Sequence, residues 1–220
     1  MIKSCLVLYN PGVGGNFIKF CLSLSKETVP YYHTDLATLS DDEISKVQLL
    51  TARDRAEICK FSTIEDFVKI HSPVIVDPTI HYKNLLINDH YTWAISHSHP
   101  TTYKSLSIFP WTTQIFYLDI DIEKYSNWLI NATTAFKPHH QWHKRKWYDD
   151  QKNSETQTLI AEVKNMDITT NISMTSILDS VEGFVAEYQK MCNTLSITPE
   201  IDVAVPYYQA WKKLRVDPYI

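Results

Sequence analysis

The segment 6–18, LVLYNPGVGGNFI, constrains the fold of this chain more than any other part of its sequence. An apolar run is followed by a turn that contains Gly12, Gly14 and Gly15, and then by apolar residues at helical spacing. These are three of only four glycines in a chain of 220 residues, and glycine is favoured where the backbone needs a positive φ or must approach another group closely. A strand that turns through such a loop into a helix directs backbone N–H groups and the positive end of the helix dipole towards one point. The segment therefore predicts a strand, a phosphate-binding loop and a helix.

Strand-like and helix-like segments alternate along the rest of the chain. We predict strands at 3–9, 73–77, 92–96, 114–119 and 172–178, and helices at 15–25, 40–59, 63–70, 121–129, 153–164, 178–193 and 207–214. This alternation is typical of an α/β protein whose mostly parallel sheet carries helices on both faces, which makes three layers. The length suits a single domain over residues 1–220. Ligands of such folds bind beyond the carboxyl ends of the strands, where the opening loop, His97, Asp119 and Ser126 all fall.

Charge and cysteine usage narrow the class of protein. The formal net charge of −4 argues against a general nucleic-acid-binding surface. Four cysteines stand without paired spacing, which indicates reduced, buried thiols rather than a zinc site or a disulfide framework. No apolar stretch approaches the length of a membrane span. We expect a cytoplasmic protein with neither a nucleic-acid nor a membrane partner.

The glycine loop differs from the phosphate loop of nucleoside triphosphatases. That loop needs a lysine and a hydroxyl residue after the glycines, but Asn16 and Phe17 stand there. Asp119, at the end of an apolar strand, has the position of a magnesium-binding carboxylate, although an aspartate there is commonly a helix cap. A nucleotide kinase-like protein is therefore a minor alternative.

The loop resembles the signature of the P-loop sulfotransferase family, P-K-S-G-T-T-W after a buried strand. The matching segment is PGVGGNF at 11–17. Pro11, Gly14 and Phe17 agree with the signature, whereas Gly12 stands where the family has lysine.

Two further segments follow in the family's order. Residues 96–100, SHSHP, are similar to its T-H-L-P segment, with His97 as the counterpart of the histidine base. The family then has a strand followed by an arginine and a serine that together bind the donor's 3′-phosphate. Residues 116–118 fit the strand and Ser126 fits the serine, but the position of the arginine falls near Asp119. Short chains of this kind are also similar to sulfotransferase-like sequences of marine tailed phages.

The resemblance implies a P-loop NTPase-like fold of the sulfotransferase type. It implies binding of 3′-phosphoadenylyl sulfate and transfer of the sulfonate to a hydroxyl or amine acceptor, with no metal. His97 would be the catalytic base and Ser126 a phosphate contact. The loop that binds the donor would comprise Gly12, Val13, Gly14, Gly15, Asn16 and Phe17.

The missing lysine and arginine bear on activity more than on fold. Removing one donor that stabilises developing charge typically raises a barrier by about 2.7–4 kcal/mol. Lys104 or the basic cluster at 144–146 could replace that charge.

The aromatic and basic segment 136–150 has two interpretations, a basic lid over an anionic ligand or a surface loop held by tryptophans. Its histidines, His139, His140 and His143, have no carboxylate or cysteine at a recognised spacing, so we predict no metal site there.

Two hypotheses of different class therefore stand side by side. The first is a sulfotransferase-like enzyme with an anionic nucleotide donor and an acceptor still to be identified. The second is a catalytically degenerate protein of the same fold with a structural or interaction role, as a homo-oligomer or as a component of a phage virion.

Overall fold

A four-stranded parallel sheet forms the centre of the fold. The computed structural model describes residues 3–9, 13–29, 42, 49–58, 92–98, 112–130 and 152–217. The strands are β1 (Lys3–Tyr9), β2 (Trp93–Ser98), β3 (Thr112–Asp119) and β4 (Thr169–Ser173), in the spatial order β2-β1-β3-β4. β1 lies between β2 and β3, with its Val7 level with His97 on one side and Phe116 on the other.

Helices cover both faces of this sheet. They are α1 (Gly15–Leu22), α2 (Ala52–Ile58), α3 (Ser154–Lys164), α4 (Met174–Asp179), α5 (Val181–Leu195) and α6 (Ile201–Arg215). The larger core packs α1, α4, α5 and α6 against one face, and the smaller core packs α3 against the other. The predicted three-layer α/β fold with a parallel sheet is thus confirmed for the described residues. None of the helices in this part of the chain is both long and apolar enough to cross a membrane.

The alternation of side chains along β1 divides the two cores. Cys5, Val7 and Tyr9 face the larger core, and Leu6 and Leu8 face the smaller one, all of them buried. A strand that is apolar on both faces is typical of the centre of a parallel sheet. β1 therefore fixes the position of the loop that follows it.

Most predicted elements among the described residues are confirmed, with changes at their ends. The predicted strand 172–178 is wrong: β4 ends at Ser173, whose Oγ accepts a hydrogen bond from Ser176 N at 3.1 Å and caps α4. The predicted helix 207–214 begins earlier, at Ile201, and carries Pro206 within it. The predictions for 63–70 and 73–77 lie outside the described residues, as does much of the predicted helix 40–59. Within 49–58 the helix begins only at Ala52, since residues 49–51 are not helical.

A buried arginine holds the turn that follows α1. Arg55 of α2 is only 1% exposed, and its Nη1 donates to the carbonyls of Ser23, Ser25 and Thr28 at 3.1, 2.6 and 2.9 Å. A buried charge is tolerated when its donors are hydrogen-bonded in this way. The same turn joins the sheet, since Val29 N donates to the carbonyl of Trp93 at 2.9 Å. The carboxyl end of α1 is fixed here, and its amino end points to the carboxyl edge of the sheet.

We predict that Arg55→Met lowers the free energy of unfolding by about 3 kcal/mol, because the buried carbonyls of Ser23 and Thr28 lose the guanidinium as a donor. The carbonyl of Ser25 keeps its bonds from Thr28. Arg53→Met is the matched control on the exposed side of α2, and it should change stability by no more than about 0.5 kcal/mol. Urea unfolding measures both. Equal effects of the two substitutions would contradict the structural role of Arg55.

Candidate anion-binding site

The loop after β1 begins α1 in a way that leaves its amino end open. Gly14 is the N-cap residue and has φ 88° and ψ 20°, in the left-handed region, and Ile18 N donates to its carbonyl at 3.1 Å. In the described part of the chain no side chain caps the helix, and the first turn of α1 contains no acidic residue. The first N–H groups of a helix have no acceptor within the helix. This end of α1 therefore presents donors and partial positive charge at the carboxyl edge of the sheet.

The two glycines are also required by packing. A Cβ atom at Gly15 would lie 1.9 Å from Cε1 of Tyr9, and one at Gly14 would lie 2.7 Å from Cζ2 of Trp211. Both rings are buried, with exposed fractions of 4%. The aromatic rings of β1 and α6 thus occupy the space that any larger residue in the loop would need. The glycines by themselves do not require a ligand.

Asn16, the second residue of α1, has a feature that packing does not explain. Its Oδ1 is buried and has no hydrogen-bond partner within the described part of the chain. An unsatisfied buried acceptor typically reduces stability by about 1–3 kcal/mol. Such a loss is often retained where a ligand completes the hydrogen bond. Asn16 is therefore the member of the loop that most directly indicates a binding role.

The other residues predicted for this site lie on neighbouring elements. The backbone of His97 is one position before the end of β2, level with Val7 in β1. Ser126 is half-buried and begins the helical turn 126–130 that follows β3. Gly12 lies outside the described residues, and of His97 only the backbone position is described. The roles of all of these residues stay predictions.

Trp211 of α6 contacts both the glycine loop and the turn that carries Ser126. Trp128, two residues after Ser126, packs edge-on against Trp211 with ring centroids 6.2 Å apart. The same indole contacts Gly14 and stacks on Phe17 with centroids 4.7 Å apart. Asp121 accepts a hydrogen bond from Lys124 N at 3.0 Å and caps a turn over residues 122–125, so the predicted helix 121–129 begins only at Ser126.

Asp119 faces away from this loop. Its Oδ2 lies 2.8 Å from Nζ of Lys164, which also lies over the ring of Tyr117 at 5.1 Å. Lys164 belongs to α3, and α3 covers the face of the sheet opposite α1. The carboxylate of Asp119 is therefore not directed to the amino end of α1. Its position does not support the magnesium site expected of a kinase-like protein.

A polar cluster that the sequence analysis missed joins three segments near the same edge. Nζ of Lys124 lies 2.8 and 3.1 Å from the two carboxylate oxygens of Asp179, and the Tyr125 hydroxyl donates to the same carboxylate. Nζ of Lys212 donates to the carbonyl of Asp179 at 3.0 Å. The hydrogen bonds from Lys124 and Tyr125 lower the pKa of Asp179. No local pattern connects these residues, because they stand far apart in the sequence.

The described cysteines are poor candidates for chemistry. Cys5, Cys21 and Cys192 are buried thiols that form no disulfide, as the sequence predicts for cysteines without paired spacing. Burial raises the pKa of all three thiols, that of Cys192 to about 12. A thiol in this state is not a nucleophile at neutral pH. No group of three or more histidine, cysteine or acidic residues that could hold a metal ion occurs in the ranges described above.

Comparison with known proteins assigns no family. No protein-family model and no curated protein matches the chain. Among solved structures, the chain is similar to the sulfotransferase domain from the curacin biosynthetic pathway, with 13% identity and a TM-score of 0.48. The alignment covers 92% of this chain and 77% of that domain. Similarity at this level assigns neither a family nor an activity, and the resemblance to phage sequences stays a prediction.

We predict opposite effects of alanine at two adjacent loop positions. Gly15→Ala should lower the free energy of unfolding by about 1–3 kcal/mol, because the buried Tyr9 ring must move. Asn16→Ala should leave stability unchanged or raise it by up to about 1 kcal/mol, because it removes an unpaired acceptor and introduces a better helix former. Chemical unfolding of both variants measures the difference. If Asn16→Ala is as destabilising as Gly15→Ala, Oδ1 has a structural partner and the loop loses its main indication of a ligand.

Proposed function

We propose that this chain binds an adenine nucleotide of the 3′-phosphoadenylyl sulfate type and transfers its sulfonate to a hydroxyl or amine acceptor. One observation carries the proposal: among the described residues, no side chain caps the start of α1 at the end of the central strand, and the buried Oδ1 of Asn16 there has no hydrogen-bond partner. The N–H groups there suit an anion, whereas Oδ1 needs a hydrogen-bond donor. A nucleotide has both an anionic group and hydroxyl or amino donors. Inorganic sulfate has only the first.

The proposed donor site uses the loop and one neighbouring turn. Residues Gly12 to Phe17 surround the phosphosulfate, and Ser126 contacts the 3′-phosphate. Ser126 is supported by its position after β3 and by the contact of its turn, through Trp128, with the same indole that packs on Gly14.

The proposed reaction is a direct displacement at sulfur. The acceptor's oxygen or nitrogen forms a bond to sulfur while the bridging bond between sulfur and oxygen breaks, which releases adenosine 3′,5′-bisphosphate. His97 takes the proton that the acceptor loses, because an imidazole with a pKa near about 6.5 suits this role at neutral pH. The position of His97 on the strand next to β1 supports this assignment.

The proposed enzyme has little cationic charge on the described side of its site. Glycine replaces lysine at Gly12, and Asp119 stands near the position of the arginine. Lys124 and Lys212 are both bonded to Asp179. We therefore propose that turnover is slower than in an enzyme that has the lysine and the arginine, by about 100- to 1000-fold per missing donor. This loss would be smaller if Lys104 or the cluster at 144–146 supplies the charge.

A second function is favoured by the packing of the loop. Tyr9 and Trp211 account for Gly15 and Gly14 without any ligand. On this alternative the chain is a non-catalytic protein of the same fold, with a role in a homo-oligomer or in a larger assembly such as a virion. Asn16 would then be left without an explanation.

Binding separates the two functions. We predict that calorimetry detects adenosine 3′,5′-bisphosphate bound to the wild-type protein, and that Asn16→Ala weakens this binding by about tenfold, the effect of one hydrogen bond of about 1.4 kcal/mol. Asn193→Ala, at an exposed position of α5, is the matched control and should bind like wild type. No heat at millimolar bisphosphate would overturn the donor site and favour the non-catalytic protein.

The proposed role of His97 as the base is tested by measuring turnover and bisphosphate binding separately. We predict that His97→Ala reduces sulfonate transfer by about 100- to 10,000-fold and leaves the dissociation constant of the bisphosphate unchanged. Single-turnover assays with the sulfonate donor and calorimetry with the bisphosphate give the two quantities. Loss of bisphosphate binding together with turnover would contradict a role as base.

A further inference from the structure

We propose that α6 positions the anion-binding loop, so that Trp211 maintains the conformation of Gly14 and Lys212 connects the same helix to the turn that carries Ser126. The inference rests on the proposed function for the identity of the ligand. The positioning itself is a property of the free protein. Trp211 and Lys212 are adjacent in α6, so one helix contacts both halves of the proposed site.

The indole of Trp211 packs directly on the start of α1. Its Cζ2 lies only 2.7 Å from the place that a Cβ at Gly14 would take. Its ring stacks on Phe17 with an angle of 4° between the planes. Gly14 and Phe17 are the N-cap and the third residue of the helix. The first hydrogen bond of the helix, from Ile18 N to the carbonyl of Gly14, depends on the conformation that this contact holds.

Tyr208, one turn before Trp211, anchors α6 firmly enough to act as a platform. Its hydroxyl is within hydrogen-bonding distance of the carbonyls of Ile177 and Ser180, at the end of α4. Its ring stacks on Phe184 with centroids 4.3 Å apart. The side chain of Tyr208 is completely buried. α6 is therefore fixed to α4 and α5 independently of the loop.

Lys212 provides the second connection. Its Nζ donates to the carbonyl of Asp179 at 3.0 Å, while the Asp179 carboxylate accepts from Lys124 and from the hydroxyl of Tyr125. Tyr125 directly precedes Ser126. A shift of α6 would therefore be transmitted to the glycine loop through Trp211 and to the Ser126 turn through Asp179.

Amide hydrogen exchange in the free protein tests the first connection. Trp211→Phe keeps an aromatic ring on Phe17 but is too short to fill the space beside Gly14. We expect the amide of Ile18 to exchange about tenfold faster relative to that of Leu22, the factor that about 1.4 kcal/mol of local opening produces. Trp93→Phe is the matched control, because Trp93 is a buried tryptophan at the other end of the sheet, and its Nε1 donates to the carbonyl of Leu195 at 2.8 Å.

The control separates positioning from general stability. Trp93→Phe should accelerate Ile18 and Leu22 by the same factor, since global opening exposes both amides. If Trp211→Phe also changes both amides equally, Trp211 is only a core residue and the inference is overturned.

Bisphosphate affinity tests the second connection. Lys212→Met should weaken binding by about fivefold, or about 1 kcal/mol, whereas Lys213→Met, with the same loss of charge at the exposed neighbouring position, should not. Tyr125→Phe removes one of the two side-chain bonds from the turn to Asp179 without a change of charge. It should weaken binding in the same direction but by less than Lys212→Met, because Lys124 still donates to Asp179. Equal affinities of the Lys212 and Lys213 variants would overturn the connection through Asp179. If the wild-type protein binds no bisphosphate, the proposed function fails, and the hydrogen exchange result still decides whether Trp211 positions the loop.

Discussion

The stacking of Trp211 on Phe17 beside Gly14 is the contact on which the geometry of the candidate site depends. Buried aromatic pairs contribute about 0.5–1.5 kcal/mol beyond the area that they bury. Here the indole also lies against Gly14, the N-cap residue at which α1 begins. Arg55 fixes the turn at the opposite end of the same helix. α1 is thus held at both ends, with the N–H groups of its first turn directed to the carboxyl edge of the sheet.

The charged groups near the carboxyl edge of the sheet bear differently on ligand binding and on catalysis. Asp119 is paired with Lys164 on the far face, and Asp179 is bonded to Lys124 and Lys212. Within the described residues, an anionic ligand at α1 would be met mainly by the helix dipole and the backbone N–H groups. Helix-dipole interactions of this kind contribute about 0.3–1 kcal/mol at exposed sites. On the proposed function, such a site would hold the nucleotide, whereas fast sulfonate transfer would need a cation from elsewhere in the chain.

Local patterns in the sequence predicted the scaffold well, because they depend on neighbouring residues. The apolar run of β1 and the helix predicted at 153–164, which is α3, are examples, and both are confirmed. The end of β4 was missed because the capping signal at Ser173 outweighs the strand-like composition that follows it. The pairing of Asp119 with Lys164 and the cluster around Asp179 could not be predicted, since they depend on tertiary packing. The glycines suggested that the backbone closely approaches a ligand. In the structure the rings of Tyr9 and Trp211 also lie where a side chain at Gly15 or Gly14 would be.

The most direct test of the central claim is a titration of ¹⁵N-labelled protein with adenosine 3′,5′-bisphosphate, followed by NMR. The claim predicts that the amide signals of Gly15, Asn16 and Phe17 move downfield as their N–H groups bind phosphate, together with the side-chain amide of Asn16. Saturation of these shifts should give the same dissociation constant at each position. Binding that leaves these signals in place, or shifts only residues remote from the start of α1, would contradict a nucleotide site on this loop.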